Sequence, residues 1–312
     1  MRILLYRGDG VIEPWARDFA QALPHAGIVV WDERQEEQAL APFDYAVVWA
    51  PTPALLGQLK RVKAIFLMGA GVDAVLKFGE ALPDVPVIRL GDAGMGEQMA
   101  EYVVYAVLRY FRRFDEYEQQ ARLGVWNPLV THDKKTFTVG VLGLGKLGIP
   151  VVQALRQLGF PVRGWSRTPK DLPGVDCYAG MDALDDFLGG TRVLVCMLPL
   201  TPETTNLLDR ARLSKLPEGA YLVNVARGAQ LADPDLMALI RAGHIAGATL
   251  DVFRNEPLPA PHPFWSEARI TITPHISALT IREEAVRQIA HKITLLEQGE
   301  DVADVVDRNR GY

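Results

Sequence analysis

The chain has 312 residues, 49% of them hydrophobic and 23% charged, which suits a globular protein of two domains and excludes collagen-like, disordered and disulfide-scaffold classes. A formal charge of -5 supplies no basic field for a phosphate backbone, so no nucleic-acid partner is expected and any anion must be gripped locally. Cys177 and Cys196 sit in separate contexts without metal-ligand spacing; they read as buried free thiols of a reducing compartment. With no signal-peptide pattern and no apolar run of membrane-spanning length, the expected location is the cytoplasm, with no membrane partner.

The first third alternates short β-rich runs at residues 3–6, 28–31, 45–49, 64–68 and 85–88 with helical patterns at 14–23 and 53–59, each helix opening on a proline. Repeated βα units of this kind imply a parallel sheet. Residues 98–123 read as one long aromatic-rich helix, either an inter-domain helix, an oligomer face or ordinary core. A polar loop with Gly124, Asn127 and Pro128 marks a break, after which residues 137–142 begin a second alternation. Its further strands are expected at 162–165, 193–197, 221–224, 248–251 and 270–272, and an amphipathic helix at 281–296 leaves that domain late enough to pack back on the first. The expected fold class is therefore α/β, with two Rossmann-like doubly wound domains. One is a discontinuous, flavodoxin-like substrate domain of residues 1–97 and 280–312; the other is a dinucleotide-binding domain of residues 98–279.

Gly143-Leu144-Gly145-Lys146-Leu147-Gly148 has the GxGxxG spacing, follows an apolar strand directly and opens a helix. In that context Gly143 permits the tight turn, Gly145 lets the backbone approach a pyrophosphate, and Gly148 lets helix and strand pack closely; the helix N-terminus supplies free N–H donors. An NAD-specific site would carry an acidic residue at the end of the next strand. Here that strand runs into Ser166-Arg167-Thr168, with Lys170 beyond. A guanidinium fork and two hydroxyls suit a 2′-phosphate, so NADPH is favoured over NADH, unless Arg167 and Lys170 merely line a solvated turn.

Arg227 follows a predicted strand, and its guanidinium can hold a carboxylate bidentately. His275 again follows a strand and could pass a proton to a substrate oxygen; Glu256, before Pro257, could hold the ring and favour its protonated form. His25, His132, His244, His262 and His291 lack a matching arginine and carboxylate and read as solvated or satisfied. No His, Cys and carboxylate cluster has metal-ligand spacing.

Met68-Gly69-Ala70-Gly71-Val72-Asp73, the glycine loop, Leu198-Pro199-Leu200-Thr201-Pro202-Glu203-Thr204, Asn224-Val225-Ala226-Arg227-Gly228, the stretch from Leu250 to Pro259 and Thr273-Pro274-His275 together resemble the D-isomer-specific 2-hydroxyacid dehydrogenase family over essentially the whole chain. The resemblance is densest to a branch that reduces glyoxylate and hydroxypyruvate. It implies that Arg227 binds and polarises a small 2-oxo acid, that His275 is the acid/base, and that Glu256 is its partner. It further implies that the backbone at Ala70, Gly71 and Val72 meets the substrate carboxylate. Leu198, Pro199, Thr204, Val225, Ala226, Asp251 and Ala278 then join Lys146, Leu147 and the glycines in holding the cofactor. Trp49 is either a substrate-pocket wall or a core aromatic. Similar proteins are homodimers paired through the long helix. Two features depart from the wider family: the missing acidic residue after Trp165, and Ile276-Ser277-Ala278 where a smaller, glycine-containing sequence is usual. The rival expectations are an NADH-dependent dehydrogenase of a bulkier 2-oxo acid and a non-catalytic nucleotide-sensing module.

Overall fold

The computed structural model describes residues 1–32 and 42–312. The chain divides into two compact units, Met1–Gly94 with Thr280–Tyr312, and Met95–Leu279.

In the first unit, β1 (Arg2–Arg7), α1 (Glu13–Ala22), β2 (Gly27–Val30), β3 (Tyr45–Trp49), α2 (Pro53–Gln58), β4 (Ala64–Leu67), α3 (Asp73–Leu76) and β5 (Val87–Ile88) build a parallel sheet of order β2-β1-β3-β4-β5, the flavodoxin-like arrangement. β3 and β4 are buried almost throughout because helices cover both faces of such a sheet, so they read as unbroken apolar runs rather than alternating ones. Leu4, Val48, Leu55, Ile65, Leu67 and Val75 meet in one core cluster. β5 is shorter than the expected 85–88, since Pro86 cannot donate to a ladder.

The second unit opens with α4 (Met95–Phe111) and α5 (Phe114–Arg122). These replace the single helix expected over 98–123. Arg113 adopts a left-handed φ of 59° and ends the first helix, while its guanidinium holds Glu116 and the Val130 carbonyl, folding the 123–130 segment back along α5. Arginine is a good helix former, so nothing in the periodicity marked the break. Tyr110 and Phe111 are buried, stacking with Tyr221 and meeting Phe137 and Phe160, so this part of the aromatic segment is ordinary core.

After β6 (Val139–Leu142) come α6 (Gly148–Gln157), β7 (Val162–Ser166), β8 (Asp176–Ala179), α7 (Leu184–Gly189), β9 (Val193–Cys196), α8 (Arg210–Leu213), β10 (Ala220–Asn224), α9 (Asp233–Arg241), β11 (Ile245–Leu250) and β12 (Ile270–Ile272); α10 (Arg282–Glu297) belongs to the first unit. The seven strands are parallel, in the order β12-β11-β10-β9-β6-β7-β8, and the direction of winding reverses between β6 and β9. Ligands of doubly wound sheets bind at the carboxyl ends of the strands beside such a reversal. β8, a half-exposed edge strand reading Asp-Cys-Tyr-Ala, has no apolar run and escaped the sequence pattern. Cys196 is buried, which pushes its thiol up to about 12, whereas Cys177 on β8 is only half-buried; both are free. Among the described residues no helix is long and apolar enough to cross a membrane.

Candidate functional site

The glycine loop lies at the reversal point. Gly143 has φ of 108°, and a Cβ there would come within 2.8 Å of the Met197 carbonyl oxygen, so only glycine makes this turn against the end of β9. At Gly148 a Cβ would sit 1.9 Å from the Gly143 carbonyl oxygen; the glycine is what lets α6 begin so close to the strand it follows. Gly145, by contrast, is exposed, and a Cβ built on it meets nothing within 4 Å. The loop therefore has one open face beside the first turn of α6, a cradle fitted to a dinucleotide pyrophosphate. Lys146 is exposed and Leu147 half-buried beside it.

At the end of β7, Arg167, Thr168 and Lys170 are exposed. Ser166 is buried, and its hydroxyl donates to the Thr168 carbonyl at 2.8 Å, which shapes the turn. Glu203 falls within the electrostatic reach of Arg167; hydrogen bonding from Thr201 and its own backbone, with that guanidinium, keeps its carboxyl below the usual range. Across the reversal, Leu198 and Pro199 lead into a loop knotted by Thr204, whose hydroxyl donates to the Pro199 carbonyl at 2.7 Å.

Arg227 follows β10 in a tightly specified turn. The Asn224 side chain accepts from the Ala226 N–H and donates to the Arg227 carbonyl, both at 3.1 Å, and the guanidinium bends back onto the Ala226 carbonyl at 2.7 Å. Val225 and Ala226 are buried, and Gly228 is required because a Cβ would lie 1.9 Å from the Phe253 carbonyl carbon.

His275 Nδ1 lies 2.7 Å from Glu256 Oε2. The other carboxylate oxygen of Glu256 accepts the Phe253 N–H at 2.9 Å, which fixes the group facing the ring. Burial pushes the Glu256 carboxyl up, but the His275 and Phe253 hydrogen bonds and the charges of His275 and Arg227 outweigh it and hold the group below the carboxylate range. An ionised carboxylate at Nδ1 makes that nitrogen the donor and leaves Nε2 for exchange of a proton with a ligand. The three expected residues are thus brought together: Arg227 acts on Glu256, and Glu256 on His275.

His275 itself has φ of 55°, a conformation that costs a residue with a side chain about 1 kcal/mol or more and persists only where the surroundings impose it. Asp251 is what imposes it. Its backbone carbonyl accepts the His275 N–H at 2.9 Å, and its carboxylate accepts Thr273 Oγ, the Ile276 N–H and the Ser277 N–H at 2.6, 2.9 and 2.8 Å. Asp251 is fully buried, and these bonds hold the histidine loop from behind. Tyr102 of α4 extends this network through Thr273, and burial pushes its hydroxyl up to about 12. Ala278 is half-buried against the core beneath.

Sequence reasoning missed the residues behind the site, the buried Asn224 and Gln230 and the half-buried Thr273 and Tyr102, because a polar residue packed behind a site gives no periodic signal; Asn224 and Thr273 stand at strand ends, a placement that could have flagged them. His262 is satisfied, as expected, though by a carboxylate: Nε2 lies 3.4 Å from Asp233, and Nδ1 accepts the Phe264 N–H, a structural role at the start of α9.

In the first unit, Trp49 ends β3 with 42% of its surface exposed, so it is not a core aromatic. Its indole lies so close over Gly69 that a Cβ there would come within 2.5 Å of the ring. Ala70 and Gly71 are half-buried, and Val72 buries its side chain, leaving only backbone to meet a ligand.

The family model for the NAD-binding domain of D-isomer specific 2-hydroxyacid dehydrogenases matches residues 104–277. The chain belongs to that family. Glyoxylate/hydroxypyruvate reductase A of Yersinia enterocolitica is 45% identical over 317 residues, with both chains covered in full. A D-isomer specific 2-hydroxyacid dehydrogenase from Xanthobacter autotrophicus Py2, solved with NADPH and MES, superposes with a TM-score of 0.94 at 40% identity, covering 100% of this chain and 99% of that one. An NADPH-dependent glyoxylate/hydroxypyruvate reductase from Sinorhizobium meliloti, solved with NADP and sulfate, gives 0.93 at 33% identity with the same coverage.

Proposed function

We propose that this 2-hydroxyacid dehydrogenase is an NADPH-dependent reductase of glyoxylate and hydroxypyruvate, giving glycolate and D-glycerate. The observation that carries the reading is the Glu256–His275 pair within the field of Arg227, on the same unit as the open glycine cradle and the Arg167 turn. The relatives named above, two bound to NADPH or NADP, support the cofactor and substrate.

Gly143, Gly145, Lys146, Leu147 and Gly148 hold the pyrophosphate, and Arg167, Thr168 and Lys170 the 2′-phosphate; Leu198, Pro199, Thr204, Val225, Ala226 and Ala278 border the nicotinamide. Bound NADPH supplies the hydride that reduces the substrate's C2. Arg227 holds the carboxylate and the carbonyl oxygen of the 2-oxo acid, so negative charge growing on that oxygen meets a fixed cation. His275 donates a proton to the same oxygen from Nε2, and Glu256 balances the ring's charge at Nδ1. The backbone at Ala70, Gly71 and Val72, with Trp49 as a wall, forms the substrate side, which makes the first unit the substrate domain and the second the dinucleotide-binding domain.

The protein works in the cytoplasm as a homodimer. The second unit supports the dimer by exposing Tyr105, Phe114, Leu123, Trp126 and Val130 along α4, α5 and the segment after them, with Trp126 95% exposed. Light scattering tests that assembly.

NADPH consumption with glyoxylate, hydroxypyruvate and pyruvate, against NADH in parallel, tests the reaction. Arg227→Ala should lower turnover about a hundredfold or more, and His275→Ala should abolish reduction while NADPH still binds. Near-wild-type rates in either variant would overturn the site, and turnover confined to NADH or to a bulkier acid would overturn the substrate and cofactor assignment.

A further inference from the structure

Gln230 stands just beyond Arg227 with no surface exposed, yet its amide is fully engaged. Oε1 accepts the Arg227 N–H at 3.1 Å and the Cys196 thiol at 3.3 Å; Nε2 donates to the Leu198 carbonyl at 2.7 Å and the Pro199 carbonyl at 3.0 Å. A primary amide has two donor hydrogens and two acceptor lone pairs, and here all four have partners. Its orientation is fixed, because a flipped amide would set its oxygen against two carbonyls and its NH2 against an N–H. The partners lie on two neighbouring strand ends: Cys196 ends β9 and Leu198 and Pro199 lie in the loop after it, while Arg227 follows β10.

We infer that Gln230 is a positioning residue that locks the backbone carrying Arg227 to the Leu198–Pro199 carbonyls, so that the substrate-holding guanidinium and the cofactor-side loop move as one piece. The inference rests on the role given to Arg227 above. Three further contacts fit it. The Asn224 amide fixes the same turn from the other side. The Thr204 hydroxyl ties the Pro199 carbonyl that Gln230 also holds. The Gln230 carbonyl accepts the Leu208 N–H at 2.9 Å, anchoring the residue's own backbone. The side chain touches no solvent, so it acts through Arg227 and the loop and not on substrate directly. A buried side chain satisfied at every atom and joining the 196–199 stretch to the Arg227 turn holds their spacing rigidly, and misplacing a substrate-holding group by about 1 Å can cost on the order of a hundredfold in rate.

Gln230→Glu keeps the shape and the acceptor but loses the donor to both carbonyls; Gln230→Met removes both functions at nearly constant volume. Hydrogen exchange on the protein without cofactor should be faster at the Arg227 amide in Gln230→Met, by about tenfold or more, since that N–H loses its buried acceptor. Steady-state kinetics should give kcat/KM for glyoxylate lowered about tenfold or more in both variants, with the NADPH dissociation constant within about threefold of wild type. In an Arg227→Ala background, adding Gln230→Met should change turnover by less than about twofold, because the group being positioned is gone. Wild-type kcat/KM in the single variants, or a full additional loss on top of Arg227→Ala, would overturn the inference while leaving the reaction intact. Wild-type activity of Arg227→Ala alone would instead overturn the functional reading beneath it.

Discussion

The first and third glycines of the cofactor loop are constrained by protein atoms and the second by none, so alanine at the second and third should fail in different ways. At Gly148 the added Cβ would lie 1.9 Å from the Gly143 carbonyl oxygen and 3.1 Å from its carbon. Both are backbone atoms, so no side-chain rotation relieves the clash; restoring a contact of about 3 Å requires the start of α6 to retreat by about 1 Å from β6, against a buried face that includes Val151, Val152 and Leu155. Overpacking of this kind costs about 1–3 kcal/mol, and for a unit of this size each kcal/mol lowers the melting temperature by about 2–4 °C. Gly148→Ala should therefore melt roughly 2–12 °C lower, cofactor or not. Gly145→Ala meets nothing within 4 Å and should melt within about 2 °C of wild type without cofactor, since Gly-to-Ala at a compatible position is neutral or slightly stabilising. Its defect should appear only with NADPH, where the methyl group occupies the face a pyrophosphate must approach; the thermal shift that ligand gives wild type should largely vanish. Differential scanning fluorimetry of the three proteins with and without NADPH is sufficient. If Gly145→Ala keeps the full NADPH shift, or Gly148→Ala melts like wild type, the assignment of separate roles to the two glycines is wrong.

Arg167→Asp should shift the ratio of NADPH to NADH affinity by about 10- to 100-fold towards NADH, the value of one charge-assisted contact to the 2′-phosphate, read by fluorescence titration of both cofactors; an unchanged ratio would refute the role. Glu256 is held below its ordinary value of 4.5, so it contributes stability that is present above that value and lost as pH falls through the lowered one. Melting curves of wild type and Glu256→Gln taken from neutral pH downwards should converge in the acid range, and a constant gap would contradict the shift. Lys292 on α10 pairs with Asp304 at 2.9 Å with both side chains buried. Lys292→Met leaves that carboxylate buried without its cation and should cost about 3–5 kcal/mol in urea titrations, whereas a loss below about 1 kcal/mol would mean water or rearrangement replaces the lysine.

Most of the architecture was legible because parallel strands covered on both faces are continuous apolar runs. The runs at 45–49 and 270–272 are strands with those same limits. The reading failed where backbone conformation or edge position decides. Arg113 turns left-handed within a helical pattern because the following segment folds back, and β8 is polar because an edge strand need not be apolar on both faces. At the site, Arg227, Glu256, His275 and the glycine loop could be read because charged groups and glycines just past predicted strands are unusual enough to notice. The stapling role of Asp251 was not legible: that a carboxylate is fully buried and accepts three donors from the loop beyond the next strand shows only in the fold.

The order of the strands explains how residues far apart in sequence form one site. In a parallel sheet every carboxyl end lies on the same edge, with neighbouring strands about 4.8 Å apart. Along that edge stand β6, β9, β10, β11 and β12 as consecutive neighbours. Gly143 follows the first, Leu198 and Pro199 the second, Arg227 the third, Glu256 the fourth and His275 the fifth. The edge therefore runs from the residues proposed to hold the cofactor, through the cation proposed to hold the substrate, to the histidine proposed to donate the proton. The hydrogen bonds beneath this edge join its neighbours: Gln230 links the β9 loop to the β10 turn, the Asp251 N–H donates to the Asn224 carbonyl to link β10 to β11, and the Asp251 carboxylate links β11 to the loop after β12. The sheet sets the order of the chemical groups, and the buried polar residues set their spacing. That division is why a substitution at Gln230 or Asp251 should alter the reaction while the sheet itself still forms.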